Sequence, residues 1–309
     1  GRMTYVRFVK GHMGGNEIVL LDGTDVPRGS ELKFALEALH PPSLRGHEAG
    51  VVYPGRTGRT DLEVKIVEAA TGGFISMCGG LTQVLGLAVV EVGFPEGRRY
   101  EVPTELVLGT DAGPVKLRIE ADSGGIRVAT DMRSFLRECY ELGVETLTLK
   151  GIPAVRVGEF LVLEAGELER GYPGADFSLM NARALAAVED VQREFVERCF
   201  PDRPVAAVTV YDERPERGGG FRVVFPHDVR SGLIEPSCGT GTIALLIALH
   251  HTGRRDLEVL VAECGGDMGL GGPDTIRVEA KLDGARVLDA RFTHSRVALT
   301  AAGTLYVEA

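Results

Sequence analysis

Two cysteines stand in matched settings: Cys78 is followed by Gly79-Gly80 and an apolar run, and Cys238 by Gly239-Thr240-Gly241 and a longer one. They lie 160 residues apart, about half of the 309-residue chain. Each is preceded by a strand-like segment, so each thiol sits where an extended segment hands over to a helix. The first turn of a helix has backbone N–H groups without intrahelical partners and carries partial positive charge. A thiolate or carboxylate is stabilised there, and thiol pKa values in such places fall from ~8.5 into the range ~3.5 to 7.5.

Taken alone, either cysteine reads equally well as a buried packing residue, since free Cys is among the most buried types. The matched pair favours chemistry. Two thiols on opposite faces of a bound amino acid suit racemisation, in which one thiolate removes the α-proton and the other thiol protonates the opposite face. The amides of Gly79, Gly80, Gly239 and Thr240 would hold the α-carboxylate and stabilise the charge that spreads into it.

The elements that must position these residues follow from patterning. "CGGLTQVLGLAVVEVG" places Leu81, Val84, Leu85 and Ala88 on one helical face, whereas "CGTGTIALLIALHHTG" is apolar on all sides and has to be enclosed by protein. A third helix, amphipathic, is expected from Ala182 to Phe200, ending before Pro201. Forty-one glycines and short β-branched runs such as "DLEVKIVEA", "VKLRIEA", "FRVVF" and "DTIRVEA" make the remainder mostly sheet. Strands, a cysteine, a glycine turn and one long apolar helix occur in each half, the mark of an internal duplication.

Composition excludes several classes. A net charge of -10 disfavours nucleic acid, and no apolar run is long enough to span a bilayer. The N-terminus lacks the pattern of a secretory signal, so a soluble cytoplasmic protein is expected. The five cysteines are scattered and odd in number, with no C-x-x-C spacing, and His250-His251 point in different directions on their helix, so no metal is expected. Cys139, Cys199 and Cys264 read as packing or surface residues. "ERGGGF" and "GGDMGLGG" lack nucleotide-loop spacing and read as loops.

These motifs resemble the diaminopimelate epimerase and proline racemase superfamily, whose members use two cysteines and no cofactor, and the diaminopimelate epimerase branch above all. The family's His-Gly-x-Gly-Asn-Asp-Phe pattern is similar to His12-Met13-Gly14-Gly15-Asn16-Glu17-Ile18, its Met-Cys-Gly-Asn-Gly to Met77-Cys78-Gly79-Gly80, and its Cys-Gly-Thr-Gly to Cys238-Gly239-Thr240-Gly241. "SLMNARALAAVEDV" resembles the segment carrying the family's substrate-binding asparagine, and "VALTAAGTLYVEA" its returning C-terminal strand.

The resemblance implies an α/β (α+β) fold of two pseudo-symmetric domains. Each would be a mostly antiparallel curled sheet around a central helix, with the site in the cleft; the domains would span 1–136 plus 292–309, and 137–291. It makes Cys78 and Cys238 the acid/base pair, makes Asn16, Asn181 and Arg230 substrate contacts, and implies a homodimer.

Departures bear on the substrate. Arg183 replaces the histidine that assists one cysteine, and Val229 the glutamate of the Glu-Arg pair before the second. Gly80 and Ala69 stand where the family has asparagines. A buried distal carboxylate without those partners would carry its full desolvation cost, so meso-diaminopimelate is disfavoured. Glu17, Glu68, Asp228 and Glu235 are either acceptors for a cationic side chain, as in histidine or 2,4-diaminobutyrate, or simply solvated. With Glu and His gone, thiol activation rests on helix dipoles, helped by His227 or Asp228. An alkene-shifting isomerase or a catalytically silent small-molecule binding protein are the rival readings.

Overall fold

The computed structural model describes all residues except 1, 57, 96, 98–99, 215–219, 267–268 and 309. Residues 216–219 and 267–268 of the two glycine-rich loops therefore lie outside the described residues. The chain divides into two compact units, Gly1–Ser134 with Arg296–Ala309, and Phe135–Ser295. The second change of unit comes after Ser295, one residue past His294, where the last strand of the second unit ends.

Unit 1 contains β1 (Met3–Met13), β2 (Asn16–Asp22), α1 (Glu31–Leu39), β3 (Glu48–Pro54), β4 (Leu62–Glu68), β5 (Gly73–Ile75), α2 (Gly79–Val92), β6 (Thr104–Thr110), β7 (Gly113–Asp122) and β8 (Gly125–Asp131). It is completed by the C-terminal strand, β18 (Val297–Glu308). Its ladder order is β18-β1-β2-β3-β4-β6-β7-β8, antiparallel except for the parallel pairs β2–β3 and β4–β6. Helices or short excursions bridge those parallel pairs, because two parallel strands cannot be joined by a tight turn.

Beyond α3 (Arg133–Leu142), unit 2 runs β9 (Val144–Leu149), β10 (Ile152–Val157), β11 (Phe160–Glu164), α4 (Ala165–Gly171), α5 (Ala182–Cys199), β12 (Val208–Arg214), β13 (Gly220–Asp228) and β14 (Leu233–Glu235). It ends with α6 (Gly239–His251), β15 (Val259–Cys264), β16 (Asp274–Asp283) and β17 (Arg286–His294). Its ladder order, β9-β10-β11-β12-β13-β15-β16-β17, again has two parallel steps, β11–β12 and β13–β15. The two units thus repeat one topology, with β4-β5-α2 answering to β13-β14-α6.

In unit 1, α2 packs against β1, β2, β3, β7, β8 and β18; in unit 2, α6 packs against β9, β10, β11, β12, β16 and β17. Each sheet curls round its helix. All of Gly239–His250 is buried, as the apolar run demands, and so is Gly79–Val89, including Thr82 and Gln83. Those two polar residues depart from the one-sided pattern read for this helix. Thr82 Oγ1 bonds Thr130 Oγ1 at 2.8 Å, and Gln83 Nε2 donates to Val128 O and Thr130 Oγ1, which satisfies the Thr82 hydroxyl and the Gln83 N–H groups. No helix among the described residues is long and apolar enough to cross a membrane.

Candidate active site

Cys238 is the N-cap of α6, with extended backbone (φ -149°, ψ 113°), and its Sγ accepts the Gly241 N–H at 3.3 Å. Thr240 Oγ1 lies 3.4 Å from the same sulfur. Two further side chains converge on it from the strands that precede the helix, His227 on β13 and Glu235 on β14. His227 Nε2 lies 3.3 Å from Glu235 Oε2, and the ligating atoms of His227, Glu235 and Cys238 all lie within 4.8 Å of one another. Glu235 is only 3% exposed, so the solvated reading of that carboxylate is corrected.

A break in the ladder produces this convergence. Asp228 pairs with Leu233, but the next pair is Phe225 with Glu235, a β-bulge at Pro226-His227. Bulges bend the strand and re-aim side chains. Phe160 and Phe225 then flank the imidazole, with ring centroids 6.4 and 6.1 Å away, and shield it from water.

The imidazole's tautomer follows from its other nitrogen. The Val208 N–H donates to Nδ1 at 3.0 Å, so the proton of the neutral ring is on Nε2, facing Glu235 and Cys238. Burial lowers the His227 pKa, and the Val208 N–H directed at Nδ1 also disfavours a second proton, while Glu235 and Cys238 act in the opposite sense. The nitrogen that would receive an extra proton, Nδ1, already accepts an N–H, and on that geometry we read the ring as a neutral Nε2–H donor.

The tautomer also bears on metal binding. The three donors are close enough to ligate one ion, but Nε2 could do so only if its proton moved to Nδ1, against the Val208 N–H. The arrangement fits a shared proton better than a cation.

In unit 1, Cys78 is likewise an N-cap (φ -142°, ψ 116°), and its Sγ accepts the Leu81 N–H at 3.4 Å. His227 and Glu235 stand eleven and three residues before Cys238; the same spacings before Cys78 give Val67 and Ile75. There the β4–β5 ladder runs without a bulge and Val67 is buried in an apolar cluster. The two halves match in topology and differ here both in the bulge and in side-chain chemistry.

Asn16 sits beside the start of α2: a Cβ at Gly80 would lie 2.8 Å from its Nδ2. Asn16 is 2% exposed, and its Oδ1 has no hydrogen-bond partner. In both helices the N-cap sulfur takes the third amide, so those of Gly79, Gly80, Gly239 and Thr240 precede the first intrahelical acceptor. Gly239 has a packing role too, since a Cβ there would meet the Phe292 ring at 2.5 Å.

Asn181 and Arg230 both have hydrogen-bonding partners within unit 2. Asn181 caps α5, its Oδ1 accepting from Ala184 N (2.9 Å) and Asp176 N (3.1 Å) while Nδ2 donates to Gly174 O. Arg230 is exposed and paired with Glu189 at 2.9 Å. Those polar groups are thus engaged within the protein. Arg183 donates twice to Pro173 O, and Glu17 is half exposed and paired with Lys10 at 2.9 Å. What residue-by-residue reading missed was the pairing of Glu235 with His227, and its signal lay in comparing the two halves at equal distance from each cysteine.

No family model matches the chain. It is 24% identical over 300 residues to a diaminopimelate epimerase of Bacteroides thetaiotaomicron, covering 91% of this chain and 99% of the relative. Among solved structures it is similar to a hydroxyproline epimerase from Agrobacterium vitis with bound trans-4-hydroxy-L-proline: TM-score 0.68, 16% identity, 98% of this chain and 93% of the other. It is similar as well to a methylitaconate-delta-isomerase, with TM-score 0.62, 14% identity and coverage of 100% and 97%. Over nearly its whole length this chain shares the fold of these epimerases, racemases and isomerases, and its sequence is similar to that of a diaminopimelate epimerase.

Proposed function

We propose that the protein is a cofactor-independent amino-acid racemase or epimerase in which Cys78 and Cys238 are the acid/base pair. The observation that carries this reading is the placement of Cys238 at the N-cap of a buried helix, within reach of Glu235 and of the Nε2–H of His227. Glu235 accepts the Cys238 proton, and the thiolate is held by the Gly241 N–H, Thr240 and His227. The thiolate takes the α-proton, the electron pair spreads into the α-carboxylate, and the first-turn amides stabilise it there. The Cys78 thiol then delivers its proton to the opposite face; in the reverse direction the two thiols exchange roles.

Diaminopimelate is not the substrate proposed. Ala69, which stands where the family has an asparagine, packs against the cluster around α1 and supplies no donor for a distal carboxylate.

The test is incubation with a panel of L-amino acids in heavy water, without pyridoxal phosphate, followed by chiral chromatography and mass spectrometry. Deuterium at Cα with inversion is expected, and is lost in both Cys78→Ser and Cys238→Ser. Inversion surviving in either variant overturns the two-base scheme. Migration of a double bond in an unsaturated acid supports the alkene-isomerase reading instead, and binding without exchange supports a silent receptor.

A further inference from the structure

Gln192 lies on α5, on the face that carries Ala184, Val188 and Phe195 into the core of unit 2, and is only 6% exposed. A primary amide on an apolar face costs its desolvation unless its N–H groups are paired. Here Nε2 donates to Ala206 O at 2.5 Å and to His227 O at 2.6 Å, which uses both of its hydrogens.

Those two carbonyls lie where the strands stop holding one another. The β12–β13 register begins at Val210↔Val224, and the β13–β14 register passes from Phe225 to Asp228, so Pro226-His227 is skipped on both sides. In place of a ladder, three bonds hold the segment: Gln192 to Ala206 O, Gln192 to His227 O, and the Val208 N–H to His227 Nδ1 at 3.0 Å. With the backbone from Ala206 to Val208 they close a ring, so the imidazole residue is fixed at its carbonyl and at its Nδ1 together. The same hairpin meets α5 again through Glu189, which accepts from Arg230 at 2.9 Å, and through Val229 and Ile234, which pack against the cluster that α5 helps to build.

We infer that Gln192 is a positioning residue for the acid/base site: its amide holds the bulge so that His227 Nδ1 stays on the Val208 N–H and the Nε2–H stays directed at Glu235 and Cys238. This deepens the racemase reading and rests on its Cys238 site. Without the amide, the Ala206 and His227 carbonyls lose their donor, and the segment shifts to find others. The Val208 N–H then no longer fixes the tautomer, and the Cys238 thiolate loses part of the Nε2–H bond that helps to hold it.

Gln192→Met, close in length and volume but without an N–H, tests this, with Val191→Ala as the control. Val191 is fully buried on the same helix, and its truncation weakens the packing of α5 without removing a hydrogen bond. Two readouts need no turnover: nitrogen NMR of the histidine rings, which reports the His227 tautomer, and the rate of iodoacetamide labelling of Cys238 at fixed pH. In the wild type and in Val191→Ala, His227 should show a bare Nδ1 and a protonated Nε2. In Gln192→Met the Nδ1–H tautomer should appear, and labelling of Cys238 should slow by about 3- to 10-fold. Where an amino acid is inverted, kcat should fall in the same proportion with KM little changed.

A wild-type His227 with its proton on Nδ1 overturns the inference outright. So does a folded Gln192→Met with the wild-type tautomer and labelling rate, and so do equal effects of Gln192→Met and Val191→Ala, which would make Gln192 a packing residue only. If Gln192→Met yields no folded protein, Gln192→Glu, which keeps the length and loses the donors when ionised, supplies the same readouts. If no amino acid exchanges, the racemase reading fails, while tautomer and labelling still decide the role of Gln192.

Discussion

At the scale of single residues, Cys238 is distinguished from Cys78 by what faces it. Glu235 is buried beside a neutral imidazole whose Nδ1 is held by the Val208 N–H, so His227 can give a hydrogen bond through Nε2 but has no free nitrogen on which to take a proton. The proton acceptor of the cluster is therefore the carboxylate. Glu235→Gln keeps the shape and a hydrogen-bonding group against His227 but removes that acceptor. Inversion should fall by about 10²- to 10⁴-fold, the usual worth of a general base. Peptide mass spectrometry after iodoacetamide treatment at fixed pH should show slower labelling of Cys238 in parallel. Unchanged labelling would assign the acceptor role to another group.

At the scale of elements, the bulge in β13 and the close packing around the helix starts do the positioning. Gly239 and Gly80 both lie in the first turn of their helices, α6 and α2, yet they are small for different reasons. A Cβ at 239 would strike the edge of the Phe292 ring, which is fully buried and has nowhere to move; at 80 it would strike the end of the Asn16 amide. Gly239→Ala should cost about 1–3 kcal/mol by overpacking. The urea midpoint measures this, and adding Phe292→Leu should recover part of the loss. No recovery in the double variant would place the strain elsewhere.

At the scale of the whole molecule, each unit encloses its own helix, and unit 1 is completed from the far end of the chain. Its β18 pairs with β1 from Met3↔Glu308 to Met13↔Val297 and contributes Leu305 and Val307 to the cluster around α1. Removing 296–309 strips a ladder edge and part of that core together. The truncated protein should lose at least about 4 kcal/mol of stability in unit 1 or fail to fold it. Hydrogen exchange would read this as deprotection of β1 and β2 with unit 2 retained. Full protection of β1 in the truncated chain would show that β18 is dispensable.

Local signals in the sequence determined a good deal. The Cys-Gly helix starts, the all-apolar body of α6, the amphipathic α5, the sheet-rich remainder and the repeat of one pattern in both halves are each encoded within a few turns or strands, so periodicity and turn residues suffice to read them. The sequence also shows Val67 and Ile75 where the second half has His227 and Glu235. Only the tertiary structure decided what those differences mean. Whether Glu235 is solvated or buried depends on a bulge that shifts a ladder by one residue, and a shift of one residue redirects a side chain. Asn181 could be read from its motif as a substrate contact, but its amide is taken by Asp176, Ala184 and Gly174. Gln192 drew no notice in the linear chain because nothing nearby in sequence marks it; the packing of α5 against β13 sets its amide between Ala206 O and His227 O. Such relations join residues tens of positions apart, and they exist only once the strands have been brought into register around the helix.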